Sequence, residues 1–301
     1  MNLPVIQPTR RAEGAPPIFA KVGIVGLGLI GGSIAMAARQ VWPTSLVIAV
    51  DNKDVLETAM RLHAIDVAAD DLIVLAEADL VILAAPVRQN LALLDRLDEN
   101  VRGPAVVTDT GSTKREMVET AKRLPPRFTF VGGHPLGGAA VGGLEHARPD
   151  LFKRRPWLFT PATDRGGEAL DKLLAFARAL GAEPRVLEPA AHDHLLAFLS
   201  HLPQITASAL MQIVGEGVDE EGLALAGRGL VDTTRLASSP PEIWKDIAAT
   251  NADELAAALE ALIALLEELK DDLPTGRRLG EVFEEASRWR RKLRASNESR
   301  D

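Results

Sequence analysis

Short apolar runs alternate with segments of helical periodicity from Lys21 to about Glu188. This alternation is typical of an α/β domain in which parallel strands form a sheet with helices on both faces. The segment 21–35 reads as a strand, a tight turn and a helix. The other predicted strands are Leu46–Val50, Leu80–Pro86, Ala105–Asp109, Phe128–Val131, Trp157–Thr160 and Pro184–Leu187. The other predicted helices are Lys53–Ala64, Arg88–Asn100 and Lys114–Leu124.

Strand signals stop at Pro189, and the rest of the chain is rich in alanine, leucine and glutamate, which predicts an all-helical second domain. Six leucines there repeat at alternating spacings of four and three residues, so they share one helical seam that ends at Pro274 and Gly276. They are Leu255, Leu259, Leu262, Leu266, Leu269 and Leu273. Such a seam packs either inside a bundle or against a second subunit, and the small helical region favours a homodimer interface.

The tight turn in segment 21–35 has the spacing G-x-G-x-x-G. Its residues, all expected to contact a dinucleotide, are Gly26, Leu27, Gly28, Leu29, Ile30 and Gly31. In this spacing the first glycine permits the turn, the second lets a pyrophosphate approach the backbone, and the third lets helix and strand pack closely. The phosphates then face the helix N-terminus. Alone, the pattern also fits a methyl-transfer cofactor domain or an ordinary strand-to-helix turn.

Asp51 favours the dinucleotide. It directly follows the strand Leu46–Val50, twenty positions after Gly31, where a carboxylate can accept hydrogen bonds from both adenosine ribose hydroxyls. A carboxylate there repels the extra phosphate of NADP, and no arginine directly follows, so we expect NAD as the cofactor. An ordinary exposed aspartate after a strand is the alternative. Ala85 and Pro86, at the end of the next buried strand, are expected to complete the cofactor site.

Composition limits the possible functions. The chain has 301 residues, 47% hydrophobic and 25% charged, as expected for a soluble globular protein with room for two domains. It contains no cysteine, which excludes disulfides and thiolate chemistry and suits a cytoplasmic location. A net charge of −8 argues against broad nucleic-acid binding. No apolar run approaches the roughly 20 residues that span a bilayer, so no membrane contact is expected.

These patterns predict four segments along the chain. A disordered leader is expected at 1–17 and a dinucleotide-binding domain at 18–188. A helical dimerisation and substrate domain is expected at 189–296, followed by a flexible tail at 297–301.

The candidate chemistry lies on loops at 84–87, 110–113 and 132–143, which follow predicted strands and are expected to share one crevice. The run GGHPLGG at 132–138 is too rich in glycine for a helix or a strand ladder, so His134 is expected to project from a loop. A histidine there can accept a proton near neutral pH, and a surface-loop histidine is the alternative. On the neighbouring loop, Ser112 or Thr113 caps the following helix, contacts the substrate, or does both.

The helical region has two further groups of candidates. Pro203 follows His201 inside an apparent helix, which predicts a kink or a helix junction with exposed polar groups. Arg235 lies between chain-breaking residues and is either solvated or paired with a substrate carboxylate. His192 and His194 lie close to His201 in sequence but face apart on a helix, so we predict no metal site.

Six ordered motifs resemble those of the prephenate and arogenate dehydrogenase family, the NAD-linked step of tyrosine biosynthesis. They are GLGLIGGS at 26–33, Asp51, DTGSTK at 109–114, GGHPLGG at 132–138, SHLPQ at 200–204 and GLVDTTRLA at 229–237. The resemblance covers about residues 20–290. It implies an α/β Rossmann-type N-terminal domain with a parallel sheet, followed by an all-α C-terminal dimerisation domain.

The resemblance also implies a reaction and residue roles. The family substrate is a cyclohexadienol with a ring carboxylate, and oxidation of its C4 hydroxyl lets the ring lose CO2 and become aromatic. His134 would accept the C4 hydroxyl proton as hydride leaves for NAD, with Ser112 orienting the pair. The implied substrate contacts are Arg235, which would hold a carboxylate, His201, Gln204 and Thr113.

The chain departs from the family pattern at two places, in the helical region and after the HPLGG run. Gln204 stands where histidine is frequent, and Ala139 and Ala140 stand where threonine or serine and then glutamate are frequent. These positions lie near the substrate in relatives, so the choice between prephenate and arogenate stays open. We also expect neither an appended regulatory amino-acid-binding domain nor a fused mutase.

Two other function classes compete with this one. The first is a dehydrogenase of similar architecture that acts on a small hydroxy or imino acid. That class commonly uses a lysine as its acid–base group, whereas a histidine stands here. The second is a non-catalytic sensor of NAD(H).

Overall fold

The computed structural model of the chain describes residues 16–138, 142–162 and 167–298. Most of the leader predicted at 1–17 and the end of the tail predicted at 297–301 lie outside the described residues. So do Ala139 and Ala140.

Within the described ranges, eight strands form one sheet. They are β1 (Lys21–Val25), β2 (Leu46–Val50), β3 (Val67–Ala69), β4 (Leu80–Leu83), β5 (Ala105–Asp109), β6 (Phe128–Pro135), β7 (Pro156–Pro161) and β8 (Glu183–Val186). Their order across the sheet is β3-β2-β1-β4-β5-β6-β7-β8. Neighbours are parallel except β6 and β7, so the predicted parallel sheet is confirmed apart from one antiparallel pair. The pattern gave no signal for β3, which has only three residues.

Helices alternate with the strands up to β8 and then follow one another without strands in the described chain. They are α1 (Leu29–Val41), α2 (Lys53–Arg61), α3 (Val87–Leu94), α4 (Leu97–Asn100), α5 (Arg115–Ala121), α6 (Gly167–Ala179), α7 (Pro189–Leu196), α8 (Leu202–Leu223), α9 (Arg228–Thr233), α10 (Pro241–Thr250), α11 (Ala252–Asp272) and α12 (Arg277–Glu298). Short 3-10 turns lie at Leu72–Leu75, Leu144–His146 and Arg235–Ser238. The helix predicted at 88–100 is divided into α3 and α4.

Apolar side chains cover both faces of the sheet, as buried parallel strands require. Val22 and Ile24 of β1 belong to one core cluster together with Trp42 and Phe176, whereas Val25 belongs to the cluster on the other face. The rings of Trp42 and Phe176 stack with 5.2 Å between their centroids. Because helices cover both faces, a ligand is expected at the carboxyl edge of the sheet.

His134 lies in a strand, so the loop predicted around it is wrong. Strand β6 continues to Pro135 because the antiparallel β7 pairs with its last residues, which places His134 opposite Leu158. The carboxyl end of β6 still lies at the edge of the sheet where the crevice was expected.

The glycines that argued against a strand allow close packing around β6. A Cβ at Gly133 would lie 2.5 Å from the carbonyl oxygen of Asp109, and a Cβ at Gly132 would lie 2.3 Å from Oγ1 of Thr160. Glycine in a strand often marks such a close approach. Composition alone could not distinguish this strand from a loop, because the neighbouring groups come from distant parts of the chain.

The junction predicted near Pro203 is present. Helix α7 continues into a π-helical turn at Ala197–His201, and α8 begins directly after it with Pro203 in its first turn. Proline is tolerated there because the first backbone N–H groups of a helix have no intrahelical acceptor. His201 ends the π-helical turn and faces the protein interior.

The leucine seam changes in exposure along α11. Leu255 is buried at the start of the helix, whereas Leu266 and Leu273 are 54% and 67% exposed in the single chain. Phe283 and Trp289 of the neighbouring α12 are also exposed. The seam therefore begins in the core of the chain and ends on an open apolar surface. None of the described helices is long and apolar enough to cross a bilayer.

Candidate active site

The glycine turn after β1 has the geometry that dinucleotide binding requires. Gly26 has a φ of +96°, which residues with a side chain rarely adopt. A Cβ at Gly26 would lie 2.8 Å from the carbonyl group of Ala84, and a Cβ at Gly31 would lie 1.9 Å from the carbonyl oxygen of Gly26. By contrast, apart from Gly28 and its neighbours along the chain, no described atom lies within 4 Å of a Cβ placed at Gly28. Packing thus requires the first and third glycines, while the second faces space that a pyrophosphate can enter.

The N-terminus of α1 is available to an anion. No side chain in the described chain caps it, and its first turn contains no acidic residue. Leu29 and Ile30 open this turn, so their backbone N–H groups lie at the positive end of the helix dipole, beside Gly28. This is the usual environment of a bound phosphate.

Asp51 is held beside the glycine turn. Its Oδ2 accepts a hydrogen bond from the Leu27 N–H at 2.6 Å, and its Oδ1 accepts one from the Asn52 N–H at 2.6 Å. Asn52 in turn caps α2 by accepting from the Val55 N–H at 3.1 Å. Each carboxylate oxygen has two lone pairs, so the partly exposed Asp51 can still accept from ribose hydroxyls.

The loop after β4 borders the same turn. Buried Asn90 accepts a hydrogen bond from the Ala85 N–H and donates one to the carbonyl oxygen of Leu83, both at 3.1 Å. Pro86 follows and precedes α3. The backbone nitrogen of Ala85 would lie 2.9 Å from a Cβ at Gly26. The residues of this loop are therefore adjacent to the expected cofactor position.

Asp109, the last residue of β5, links two neighbouring strand ends. Its buried carboxylate accepts hydrogen bonds from the Gly111 N–H at 2.8 Å and the Gly133 N–H at 3.0 Å. It also forms an ion pair with Lys114, which is equally buried. Burial lowers the pKa of Lys114, and Asp109 opposes this shift. The network holds β6 in place relative to the loop between β5 and α5.

A chain of hydrogen bonds begins at His134, which is 8% exposed near the carboxyl end of β6. Its Nδ1 lies 2.9 Å from Nε2 of His192, and Nδ1 of His192 lies 2.8 Å from Oδ1 of Asp193. His192 and Asp193 are fully buried on α7. Burial, followed by the effect of His192, holds the pKa of His134 well below its usual range. His134 is therefore neutral near pH 7, as a proton acceptor must be.

Asp193 also caps α5 from a distant part of the chain. Its Oδ1 accepts from the Lys114 N–H at 2.7 Å, and its Oδ2 accepts from the Arg115 N–H at 2.9 Å and from Arg115 Nε at 3.3 Å. Neither Ser112 nor Thr113 caps this helix, so that alternative is wrong. Burial raises the pKa of Asp193, but the hydrogen bonds that it accepts outweigh burial and leave its pKa below the usual range.

His201 belongs to the same buried network. The side-chain amide of Asn251 donates to the carbonyl oxygen of Asp193 at 2.9 Å and lies 3.3 Å from Nδ1 of His201. Nε2 of His201 is buried and has no hydrogen-bond partner among the described residues. Burial lowers the pKa of His201 to about 4, so the ring is neutral near pH 7. With Nδ1 accepting from Asn251, Nε2 carries the hydrogen and can donate it to a ligand.

Gln204 and Arg235 belong to one local structure. The Gln204 amide donates to the carbonyl oxygen of Leu236 at 2.8 Å, and the Ser239 hydroxyl donates to Oε1 of Gln204 at 3.1 Å. These bonds fasten the 3-10 turn that begins at Arg235 against α8. Arg235 itself is exposed and forms no ion pair within the described chain.

Ser112 and Thr113 have different environments although they are adjacent. Thr113 is buried, and its Oγ1 lies 2.8 Å from Oγ1 of Thr250 at the end of α10. Ser112 is half-buried and makes no side-chain hydrogen bond with any described residue. Its hydroxyl is therefore the freer of the two, and the substrate contacts expected of both stay predictions.

Sequence reasoning missed His192, Asp193 and Lys114. A signal was present, because a His-Asp pair lies among alanines and leucines on α7. His194 on the same helix is exposed and pairs with Glu254 at 2.8 Å, so His192 and His194 do face apart. In the parts of the chain that the structure describes, no group of three or more ionisable side chains could hold a metal.

Comparison with known proteins gives consistent matches over both regions. The family model of the prephenate dehydrogenase nucleotide-binding domain matches residues 34–186, and that of the prephenate dehydrogenase dimerisation domain matches residues 188–284. The cyclohexadienyl dehydrogenase of Zymomonas mobilis is 30% identical over 291 residues, which cover 94% of this chain and 99% of the relative.

Two solved structures are similar over almost the whole chain. The crystal structure of Aquifex aeolicus prephenate dehydrogenase in complex with hydroxyphenyl propionate and NAD+ has a TM-score of 0.81 at 28% identity. The match covers 93% of this chain and 98% of that one. The Synechocystis arogenate dehydrogenase has a TM-score of 0.78 at 30% identity, with 91% and 99% covered.

The fold and the site define an NAD-dependent oxidoreductase in which a Rossmann-type domain is followed by a helical domain. The glycine turn, the free N-terminus of α1 and Asp51 together fit NAD, which confirms the expected cofactor. Within that class, the chain belongs to the prephenate dehydrogenase family.

Proposed function

We propose that this enzyme catalyses the NAD-dependent oxidative decarboxylation of prephenate to 4-hydroxyphenylpyruvate, of arogenate to tyrosine, or of both. The observation that carries the proposal is the buried, neutral His134 at the same edge of the sheet as the dinucleotide turn. Relatives named for prephenate, arogenate and cyclohexadienyl substrates support it. Aromatisation of the ring supplies the driving force.

His134 is the proposed general base. The C4 hydroxyl gives its proton to Nε2 of His134 while the C4 hydrogen leaves as hydride, for which bound NAD supplies the acceptor. The C4 carbon becomes a carbonyl. The bond between the ring and its carboxylate then breaks, CO2 leaves, and the electron pair makes the ring aromatic. His134 returns the proton to the phenolic oxygen. A positioned base contributes about 100- to 10,000-fold in rate, or about 3 to 5 kcal/mol.

Several residues are proposed to orient the substrate. Ser112 has a free hydroxyl on the loop beside β6 and would position the C4 hydroxyl and His134. Arg235 is exposed and unpaired within the described chain, so it can bind a carboxylate in bidentate fashion. His201 has a buried, unpaired Nε2 and would donate to the substrate.

Gln204 and Thr113 contribute in a different way in this proposal. Gln204 holds the 3-10 turn of Arg235 through its hydrogen bond to Leu236. Because relatives often have histidine at this position, Gln204 is proposed to influence whether prephenate or arogenate is preferred. The Thr113 hydroxyl bonds to that of Thr250 and so joins the loop before α5 to α10 of the helical region.

We also propose a homodimer formed through the C-terminal helices. The exposed apolar side chains of α11 and α12 support this assignment, and so does the family's dimerisation domain. A second copy would cover Leu266, Leu273, Phe283 and Trp289, which are all more than half exposed in the single chain. Sedimentation of the purified protein would test it, and a monomer at micromolar concentration would contradict it.

The proposed reaction has a direct test. Purified protein is mixed with NAD and either prephenate or arogenate, and the appearance of NADH is followed by absorbance. We expect turnover with at least one substrate, and their ratio of kcat/KM would settle the preference. No turnover with either would contradict the proposal, and tight NADH binding without turnover would indicate a sensor instead.

A further inference from the structure

We propose that His192 and Asp193 form a positioning pair that holds His134 with hydrogen on Nδ1 and a free lone pair on Nε2. This inference rests on the proposed role of His134 as the base. Neither His192 nor Asp193 needs to contact the substrate for this role. Both side chains of the pair are fully buried on α7. One hydrogen bond of 2.9 Å links His192 to His134, and one of 2.8 Å links His192 to Asp193.

The direction of these hydrogen bonds follows from the Asp193 end. Asp193 accepts from two backbone N–H groups and from Arg115 Nε, so it is a carboxylate with no hydrogen to donate. Nδ1 of His192 must therefore carry a hydrogen, and Nε2 of a neutral His192 must be an acceptor. Nδ1 of His134 then donates to it. The remaining nitrogen of His134, Nε2, is left as a base.

The same chain of hydrogen bonds stabilises the protonated form of His134. The imidazolium keeps its Nδ1–H bond to His192, and the carboxylate of Asp193 polarises His192 in the favourable direction. Besides burial, three groups oppose a charge on His134: His192 when it is itself charged, Lys114 at the N-cap of α5, and His201 from the π-helical turn. Asp109 lies beside Lys114 and offsets part of that charge. Burial lowers the pKa of His192 and keeps it neutral, so its Nε2 accepts from His134 without adding a charge and favours the protonated form of His134.

The Asp193 end of this hydrogen-bond chain contains no group that could pass the proton on to solvent. Asp193 is completely buried, and all its hydrogen-bond partners are donors. A proton taken up by His134 therefore stays on that ring until it can return to the phenolic oxygen of the product. The proposed reaction has no net release of a proton from the hydroxyl group, and a closed chain of this kind suits it.

Kinetics of two His192 variants test the pair. His192→Leu removes the acceptor for Nδ1 of His134, whereas His192→Gln retains an acceptor oxygen close to the position of Nε2. We expect kcat to fall about 10- to 100-fold for His192→Leu, and His192→Gln to recover most of that loss. The affinity for NAD should not change in either variant. A purely structural role would lower the activity of both variants through folding and would not produce this recovery.

The pH profile of kcat provides a second readout. Loss of the accepted hydrogen bond destabilises the protonated form of His134, so its pKa falls, and the acid limb of the profile should move to lower pH in His192→Leu. His194→Leu is the matched control, since His194 lies on the same helix, is exposed and does not touch His134. It should leave both kcat and the acid limb unchanged. An unchanged kcat and acid limb in His192→Leu would overturn the proposal.

Nuclear magnetic resonance separates this inference from the proposed reaction. Nitrogen shifts of 15N-labelled histidine in the full-length protein report which ring nitrogen carries hydrogen, whether or not any substrate is turned over. We expect His134 to carry its hydrogen on Nδ1 in the unchanged protein and to populate both forms in His192→Leu. Hydrogen on Nε2 of His134 in the unchanged protein would overturn the positioning pair. Failure of the NADH assay with the expected nitrogen shifts would overturn only the proposed substrate.

Discussion

The two regions proposed to contact the substrate are built in opposite ways. His134 lies in a buried network in which Asp109 and Asp193 bind backbone and side-chain groups of several elements. Arg235 instead lies at the start of an exposed 3-10 turn, which Gln204 fastens to α8 through a single side chain. The region assigned to proton transfer is therefore rigidly preorganised, as electrostatic catalysis requires. The region assigned to substrate recognition can change without disturbing the base.

The largest expected effect comes from removing the base itself. His134→Asn retains a polar side chain but cannot accept the proton, so we expect kcat to fall about 100- to 10,000-fold. The dissociation constant of NAD should stay within about twofold, because the cofactor turn lies on other elements. Steady-state rates and a fluorescence titration with NADH would check both values. An unchanged kcat would remove His134 from the mechanism.

The buried ion pair between Lys114 and Asp109 should contribute strongly to the free energy of unfolding. Lys114→Met leaves the carboxylate of Asp109 buried without its cation, which costs about 3 to 5 kcal/mol in the free energy of unfolding. Urea denaturation would measure the loss. Arg278→Met is the control, because Arg278 pairs with Glu268 on the surface, and it should not shift the midpoint measurably. Equal shifts in the two variants would contradict the contrast between the buried and exposed regions.

Arg235→Gln tests the exposed region. A lost charge-assisted bond to a carboxylate corresponds to about 1.5 to 3 kcal/mol, so KM for the substrate should rise about 10- to 100-fold while kcat changes little. Arg228→Gln, an exposed arginine at the start of α9, is the control and should leave KM unchanged. A large fall in kcat with unchanged KM would place Arg235 with the chemistry and weaken the contrast.

The smallest expected effect concerns the choice of cofactor. Asp51→Ser removes the charge that repels the phosphate of NADP, and we expect the preference for NAD over NADP to fall about tenfold. Asp54→Ser on the exposed side of α2 is the control. The ratio of kcat/KM for the two cofactors would measure the change. If the ratio is the same in the two variants, Asp51 is not the ribose ligand.

The local parts of this fold could be predicted from the sequence because their causes are local. The turn at Gly26–Gly31 requires residues without side chains at fixed spacings, and those residues are visible in a window of six. Strand β5 has the predicted bounds, since a buried strand is a short apolar run between polar residues. The helix junction at Pro203 was likewise visible, because proline cannot donate a backbone hydrogen bond.

Long-range contacts explain most of what the sequence did not reveal. His134 and His192 are 58 positions apart, and no local pattern indicates that their rings meet. The strand conformation of His134 depends on β7, whose residues come more than twenty positions later in the chain. Asp193 replaces a local cap of α5 from 78 or 79 positions away, so a search for capping residues next to that helix had to fail.

Because Asp193 caps α5, hydrogen bonds couple the helical region to the Rossmann-type part of the chain. If the helical region were removed, α5 would lose the acceptor for its first N–H groups, and His134 would lose its hydrogen-bond partner. The Rossmann-type part alone could then retain the cofactor turn and still lack a correctly protonated base. Under the proposed mechanism, unfolding of α7 would disable proton transfer even with NAD still bound. Because the buried carboxylate of Asp193 links the two regions, we expect them to unfold together.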